Sequence, residues 1–260
     1  MQKLLLFSLL LSAPIACPSQ GAPPGPAFVV ATVKPVESGP KASRFILMQG
    51  PHRFIEKDYT LKLLIAAAYN LNLRAVTRGP SWIETTHYDI TALTPGVEQP
   101  SRDEQMAMLR SLLAERFRLS FHRESKVFSI YVLEQGKGGS TLKPSTAAAT
   151  DQPQLVSTVY PERILLPARN ATMAGFASVL QKAIVDRPVV DRTALTGRYD
   201  FDLEWAPDES QFGGAVSPST DAAVPPLFTA LQQQLGLRLV ATHGPIETIV
   251  VDHAERPSAN

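Results

Sequence analysis

The sequence holds one cysteine, Cys17, which excludes an internal disulfide and any cysteine-rich zinc module. It has no excess of either charge: 25 Lys plus Arg face 24 Asp plus Glu, a formal net charge of +1, with no Lys/Arg run. A nucleic-acid backbone or an anionic membrane calls for a basic patch, so nucleic acid is not an expected partner. Also missing are a His-x-x-x-His or His-Glu-x-x-His pair for a metal and a Gly-x-Ser-x-Gly elbow for a serine nucleophile. Gly136 to Gly139 is the nearest thing to a phosphate loop, and no helix pattern follows it. The five histidines, His52, His87, His122, His243 and His253, read as surface residues. No cofactor and no metal are expected.

What is present begins with an address. Lys3 is the only charge in Met1 to Ala16, and Leu4 to Ala16 is a 13-residue apolar stretch. A bilayer span takes roughly 20 apolar residues, so the stretch is too short to be a stable anchor, and Pro14 and Pro18 argue against a buried helix. Residues 1–21 are therefore read as a signal peptide. Two junctions compete. Cleavage between Ser19 and Ala22 gives a free protein, whereas Ala16-Cys17 is a lipoprotein junction with Cys17 acylated, although Pro14 stands where a lipobox has leucine. The expected location is the periplasm or the cell exterior, either free or tethered through Cys17. No later run is long enough to cross a membrane.

Internal repetition is the strongest organising signal. Arg44 to Met48 is strand-like, and Thr60 then caps a helical stripe of Leu61, Leu64, Ile65 and Ala68. Arg163 to Leu166 and Thr172 with Met173, Phe176, Ala177 and Leu180 repeat that order, 112 residues on along the helix. Short extended pieces follow, Arg74-Ala75-Val76 and Pro188-Val189-Val190. Tyr88-Asp89-Ile90 and Tyr199-Asp200-Phe201 come next at an offset of 111. Helices are expected from Glu104 to Phe117 and from Pro226 to Leu235. Each half then closes with two strands joined by a tight turn, Leu119/Phe121 with Ile130 to Leu133 and Leu237/Leu239 with Ile249 to Val251, at an unbroken offset of 118.

The fold class is thus α+β: two tandem similar β-α-β-β-α-β-β units, each a mostly antiparallel sheet with two helices on one face. Residues 22–43 form an N-terminal segment with an extra strand, Phe28 to Val33. Unit 1 covers 44–144, a pattern-poor linker covers 145–161, and unit 2 covers 162–260. Many of the 22 prolines fall in linkers and loops such as Ala206 to Val224.

Several stretches resemble a known family: Phe28-Val-Val-Ala-Thr-Val-Lys-Pro35, Gly79-Pro-Ser-Trp82 leading to Tyr88-Asp-Ile90, and Arg187 to Phe201. Leu231 to Leu237 and the ending Glu255 to Asn260 add to these. Together they are similar to an exported soil-bacterial family of unknown function with many paralogues per genome. The resemblance covers the whole mature chain and departs at Ala194, where the family pattern has glycine. It implies an envelope or secreted location. A similar domain follows membrane metallopeptidases of the antibiotic-sensor type, which implies sensing or protein interaction and supplies no catalytic residues.

The best-marked residues are the paired Tyr-Asp sites. In a strand, Tyr88 and Ile90 point to one side and Asp89 to the other, and Tyr199, Phe201 and Asp200 repeat this. A core contact plus an Asp that accepts backbone or Arg hydrogen bonds explains both copies. The sharper alternative is a pair of ligand pockets with Trp82 and Trp205 as aromatic walls. Asp200, Asp202 and Glu204 share one strand face and read as solvated. The Arg187, Arg192 and Arg198 stretch reads as pairing with Asp186, Asp191 and Asp200.

The leading expectation is a non-catalytic exported module that binds an envelope protein or cell-wall component, using open sheet edges for strand addition. The alternative is a periplasmic small-molecule or peptide-binding sensor domain using the groove between units. An uncharacterised hydrolase working through its carboxylates is third.

Overall fold

The computed structural model describes residues 25–39, 44–160, 162–214, 216–219 and 223–257. The expected signal peptide and Cys17 lie outside the described residues. The protein is a mixed α+β fold, and its described residues form five α-helices and mostly antiparallel sheets. No described helix is long and apolar enough to cross a membrane.

The first sheet is built from β1 (Val30–Val36), β2 (Phe45–Gln49), β3 (Arg53–Thr60) and, beyond α1 (Leu61–Ala68), β4 (Val76–Thr77) and α2 (Trp82–Thr85), β5 (His87–Leu93). β4 leaves for another sheet, and the order here is β1-β5-β3-β2, antiparallel throughout. The expected extra strand is therefore β1, laid against the Tyr-Asp strand. Thr60 caps α1 as its position implies, its hydroxyl accepting from the Leu63 N–H. α3 (Arg102–Arg116) starts two residues earlier than expected because Ser101 and Glu104 close a capping box. Its Leu109 and Leu113 pack with Leu64 and Ile65 of α1 and with Phe54, Tyr88 and Ile90 of the sheet as one core.

β6 (Ser120–Gln135) leads to the second outer sheet, made of β7 (Lys143–Pro144), β8 (Gln154–Leu155), β9 (Thr158–Val159), β10 (Ile164–Ala171) and β12 (Tyr199–Trp205). Between the last two lie α4 (Met173–Val179), a π-helical turn (Leu180–Ile184) and β11 (Val189–Asp191). The order is β7-β12-β10-β8, with β9 also on β10. α5 (Leu227–Leu235) ends on the left-handed Gly236 and runs into β13 (Leu237–His253). A second core joins Phe176, Leu203, Trp205 and Leu231.

Two boundaries differ from the sequence reading. Lys143-Pro144, expected in unit 1, faces Asp200-Tyr199 in the second sheet, as Lys34-Pro35 faces Asp89-Tyr88 in the first. The expected linker 145–161 supplies β8 and β9, and the Asn170 amide fastens it by donating to Ala148 O (2.9 Å) and Asp151 O (2.7 Å). Arg163 to Leu166 opens β10, whose helix-capping Thr172 matches Thr60 at the end of β3. Arg44 to Met48 instead stands where β8 and β9 stand in the second sheet.

The closing hairpins do not form. Each expected strand-turn-strand is one continuous strand, of 16 residues in β6 and 17 in β13, and the two pair with each other from Gln135↔Leu237 to Phe121↔Val251. A partner strand from far along the chain completes the ladder that a local turn would have closed. β4 adds to β13 and β11 to β6, both parallel, so each half contributes to the other's side of this central sheet. Leu119, Ile249 and Val251 enter the first core, and Leu133, Leu237 and Leu239 the second. The register brings Val127 opposite Pro245, two residues that stand 118 apart. A Cβ on Gly244 beside them would meet Ile130 Cδ1 at 2.7 Å, so the Ile130 side chain would have to shift.

Candidate functional site

The paired Tyr-Asp strands have a common local reason. Both β3 and β10 carry a bulge whose pivot is left-handed, Asp58 at φ 60° and Asn170 at φ 52°. The neighbouring strand supplies a carboxylate to the amide that the bulge takes out of the ladder: Asp89 Oδ1 accepts from Asp58 N at 3.1 Å, and Asp200 Oδ1 accepts from Asn170 N at 2.8 Å. The Asn170 backbone N–H, helped by Ser145, holds the Asp200 carboxyl below its ordinary value. Lys57 completes the Asp89 clamp with an Nζ–Oδ2 distance of 2.6 Å. Tyr88 is buried against Phe117 edge-on, and Phe201 against Phe176, with ring centroids 5.1 Å apart in each pair.

The tryptophans do not join these residues into pockets. Trp205 is fully buried at the far end of β12 from Tyr199, its Nε1 donating to Gln211 Oε1 at 2.7 Å. Trp82 is half-buried on α2, under the Arg256 guanidinium at 5.5 Å. Of the expected acid–base pairs, Arg187 meets Asp186 at 3.4 Å, whereas Arg198 donates to the Asn170 carbonyl. Asp202 and Glu204 pair on the strand surface with Arg169 and Arg163. His122 lies between Asp252 (2.8 Å) and Glu124 (3.1 Å), whose hydrogen bonds push its pKa up. Among the described residues, no group of three or more His, Cys, Asp or Glu is placed to hold a metal ion.

A different site emerges where β2 runs beside α1. A cavity of about 210 Å³ opens there, lined by Ile46 of β2, Leu63 and Ala66 of α1, and Leu71 and Leu73 of the segment that follows α1. Its rim carries Arg44, Tyr59, Arg102 at the start of α3, and Lys182 of the π-helical turn. Cross-half contacts fix that turn: Asn72 Nδ2 donates to Gln181 O at 2.8 Å, and Ser178 Oγ to Asn70 Oδ1 at 2.6 Å. Arg44 spends its Nε on the Asp58 carbonyl and lies 6.0 Å over the Tyr59 ring. Arg102 and Lys182 remain accessible at the mouth, yet the concave wall displaces water around them. That desolvation, with the Arg102 charge beside it, lowers the Lys182 pKa to about 8, and it lowers Arg102 as well.

Glu56 of β3 is fully buried between Ile46 and Ile90 on the flanking strands. Both carboxyl oxygens lack a hydrogen-bond partner, and burial, reinforced by the Asp89 charge, raises the pKa to about 9. The side chain is therefore a neutral acid at pH 7. None of Glu56, Arg102 and Lys182 was singled out in the sequence. An inward Glu two residues after the inward Phe54 was the one available signal, and it required β3 to be recognised first.

A model of the family described as "Protein of unknown function (DUF3738)" matches residues 62–254, from the first turn of α1 to the end of β13. No curated protein and no solved structure matches the chain.

Proposed function

The chain belongs to this family of proteins of unknown function, whose match leaves β1 to β3 outside, and from its own geometry we propose a non-catalytic peptide-binding module. An extended segment of a partner protein adds to the first sheet along β2. One observation carries the reading: among the described residues, β2 is the only outermost strand of the three sheets that is long, uncharged and free of proline. β1 carries Lys34 and Pro35 on its edge, β7 is two residues ending in Pro144, and β4, β8, β9 and β11 are two or three residues long. Short edges, charge and proline are the usual protections against strand addition. β2 reads Phe-Ile-Leu-Met-Gln with Leu47 41% exposed. A helix alongside an open edge gives a groove in which the backbone supplies affinity and alternate side chains supply specificity.

The same reading takes the N-terminal export signal at face value and puts the partner in the cell envelope. It also takes the matching strand orders, the matching bulges and the meeting of Val127 with Pro245 as marks of a tandem duplication. In that duplication the short β8 and β9 hold in the second copy the place that the longer β2 holds in the first. Hydrogen exchange tests the site. With a pool of random heptapeptides at millimolar concentration, amides of Phe45–Gln49 are expected to slow. Protection confined to other elements, or none, rejects β2 as the docking edge.

A further inference from the structure

Resting on the strand-addition reading, we propose that the groove recognises the end of a chain: a C-terminal carboxylate held by Arg102, Lys182 and Arg44, with an aliphatic last side chain on the apolar floor. The first argument is charge. Three cations surround one cavity, and among the described residues none of them is ion-paired to a carboxylate. Arg102 and Lys182 also make no hydrogen bond there. The acidic neighbour that bears on Lys182 is Asp103, so the rim keeps a positive excess that an anion would neutralise.

The second argument is direction. The cavity lies at the Arg44 end of β2, and an antiparallel added strand finishes at that end. Its final residue would sit beside Phe45 with its carboxylate at the rim, whereas a parallel strand would finish by Gln49, away from the cations. The third is shape. Ile46, Leu63, Ala66, Leu71 and Leu73 give the cavity an aliphatic lining, and its volume of about 210 Å³ is near that of one branched aliphatic residue. The π-helical turn that presents Lys182 has no counterpart after α1. Such turns recur at functional sites, and here the wider turn delivers the one cation contributed by the other half. Unpaired donors around an apolar hole suit a carboxylate that carries its own apolar group. A bare anion would leave the floor empty, and a neutral aliphatic tail would leave the charges unanswered.

Fluorescence anisotropy with the purified protein tests this. The probes are two pools of dye-labelled random heptapeptides ending in leucine, one with a free C-terminal carboxylate and one amidated. The free-acid pool should bind at least tenfold more tightly, weakening as salt rises. Lys182→Met and Arg102→Gln should each cost about tenfold for the free acid and little for the amide, while Lys182→Arg retains binding. Unchanged melting temperatures in these variants show that the fold is kept. Octanoate and inorganic phosphate serve as competitors. Displacement by octanoate alone supports the combined carboxylate and aliphatic site. Displacement by phosphate at equal concentration overturns it in favour of a simple anion site. Equal binding of acid and amide, with β2 amides still protected, leaves strand addition standing and removes the terminal carboxylate. Octanoate binding that depends on Lys182 while neither peptide pool binds identifies a free small acid as the ligand and overturns both peptide proposals. Binding by no probe also overturns both.

Discussion

Replacing Glu56 by Gln should make the protein more stable, by an amount that grows with pH. The carboxyl is fully buried without a hydrogen-bond partner, and its pKa rises from 4.5 to about 9 in the folded state. Between those values the folded protein holds one proton more than the unfolded chain, so stability falls as pH rises through the window. The slope is about 1.4 kcal/mol per pH unit. At pH 7 the wild type has therefore lost roughly 3 kcal/mol relative to pH 4.5, and by pH 8 nearer to about 5 kcal/mol. Glutamine keeps the volume and the buried polar atoms but does not ionise, so the variant lacks this slope. Urea unfolding of both proteins at pH 5, 6, 7 and 8 measures the divergence directly. At pH 5 the curves should nearly coincide, and at pH 7 the variant should melt about 5–10 °C higher. Parallel stability profiles across that range would refute the reasoning, because they require a carboxylate that ionises normally in the fold.

Other substitutions probe the backbone. Gly236→Ala should be severely destabilising, by more than about 2 kcal/mol in chemical denaturation. Its φ is +65°, and the new Cβ would stand 2.2 Å from the Gly139 carbonyl oxygen. Ala194→Gly should go the other way, gaining about 0.5–1 kcal/mol in the same assay, because Ala194 is held at φ 58° where glycine is unstrained. Asp89→Ala removes the acceptor of the Asp58 N–H and the partner of Lys57, and should cost about 1–3 kcal/mol by thermal or urea unfolding.

The elements that sequence alone revealed are those with a local chemical cause. Thr60 and Thr172 mark helix starts because their hydroxyls serve amides three residues on, and the Tyr-Asp strands repeat because each Asp must hold a left-handed pivot. The expectation that Asp89 and Asp200 are structural acceptors is consistent with that geometry, although Arg198 turned out to serve a carbonyl. β3 escaped notice because Glu56 and Asp58 are inward-facing charges that break the apolar alternation. The tight turn expected between Leu239 and Ile249 is absent because the distant β6 holds Gly244-Pro245 in a straight ladder. The cavity was illegible for a related reason. Arg44, Arg102 and Lys182 come from separate elements scattered along the chain, and no local pattern announces that folding sets them around one opening.

The long central pair has a consequence for any attempt to divide the protein. β6 and β13 each run from one core into the other, so a fragment ending near Gly136 would keep its strand but lose the ladder along nearly all of it. Because Val127 meets the residue 118 positions on, the natural replacement partner is a second copy of the same fragment, with Val127 facing Val127 across a true two-fold axis. An isolated half is therefore expected to pair with itself, and sedimentation of the fragment would show it. On the proposed duplication, a one-unit ancestor would have paired in the same way, and fusion of two copies would have made that pairing intramolecular.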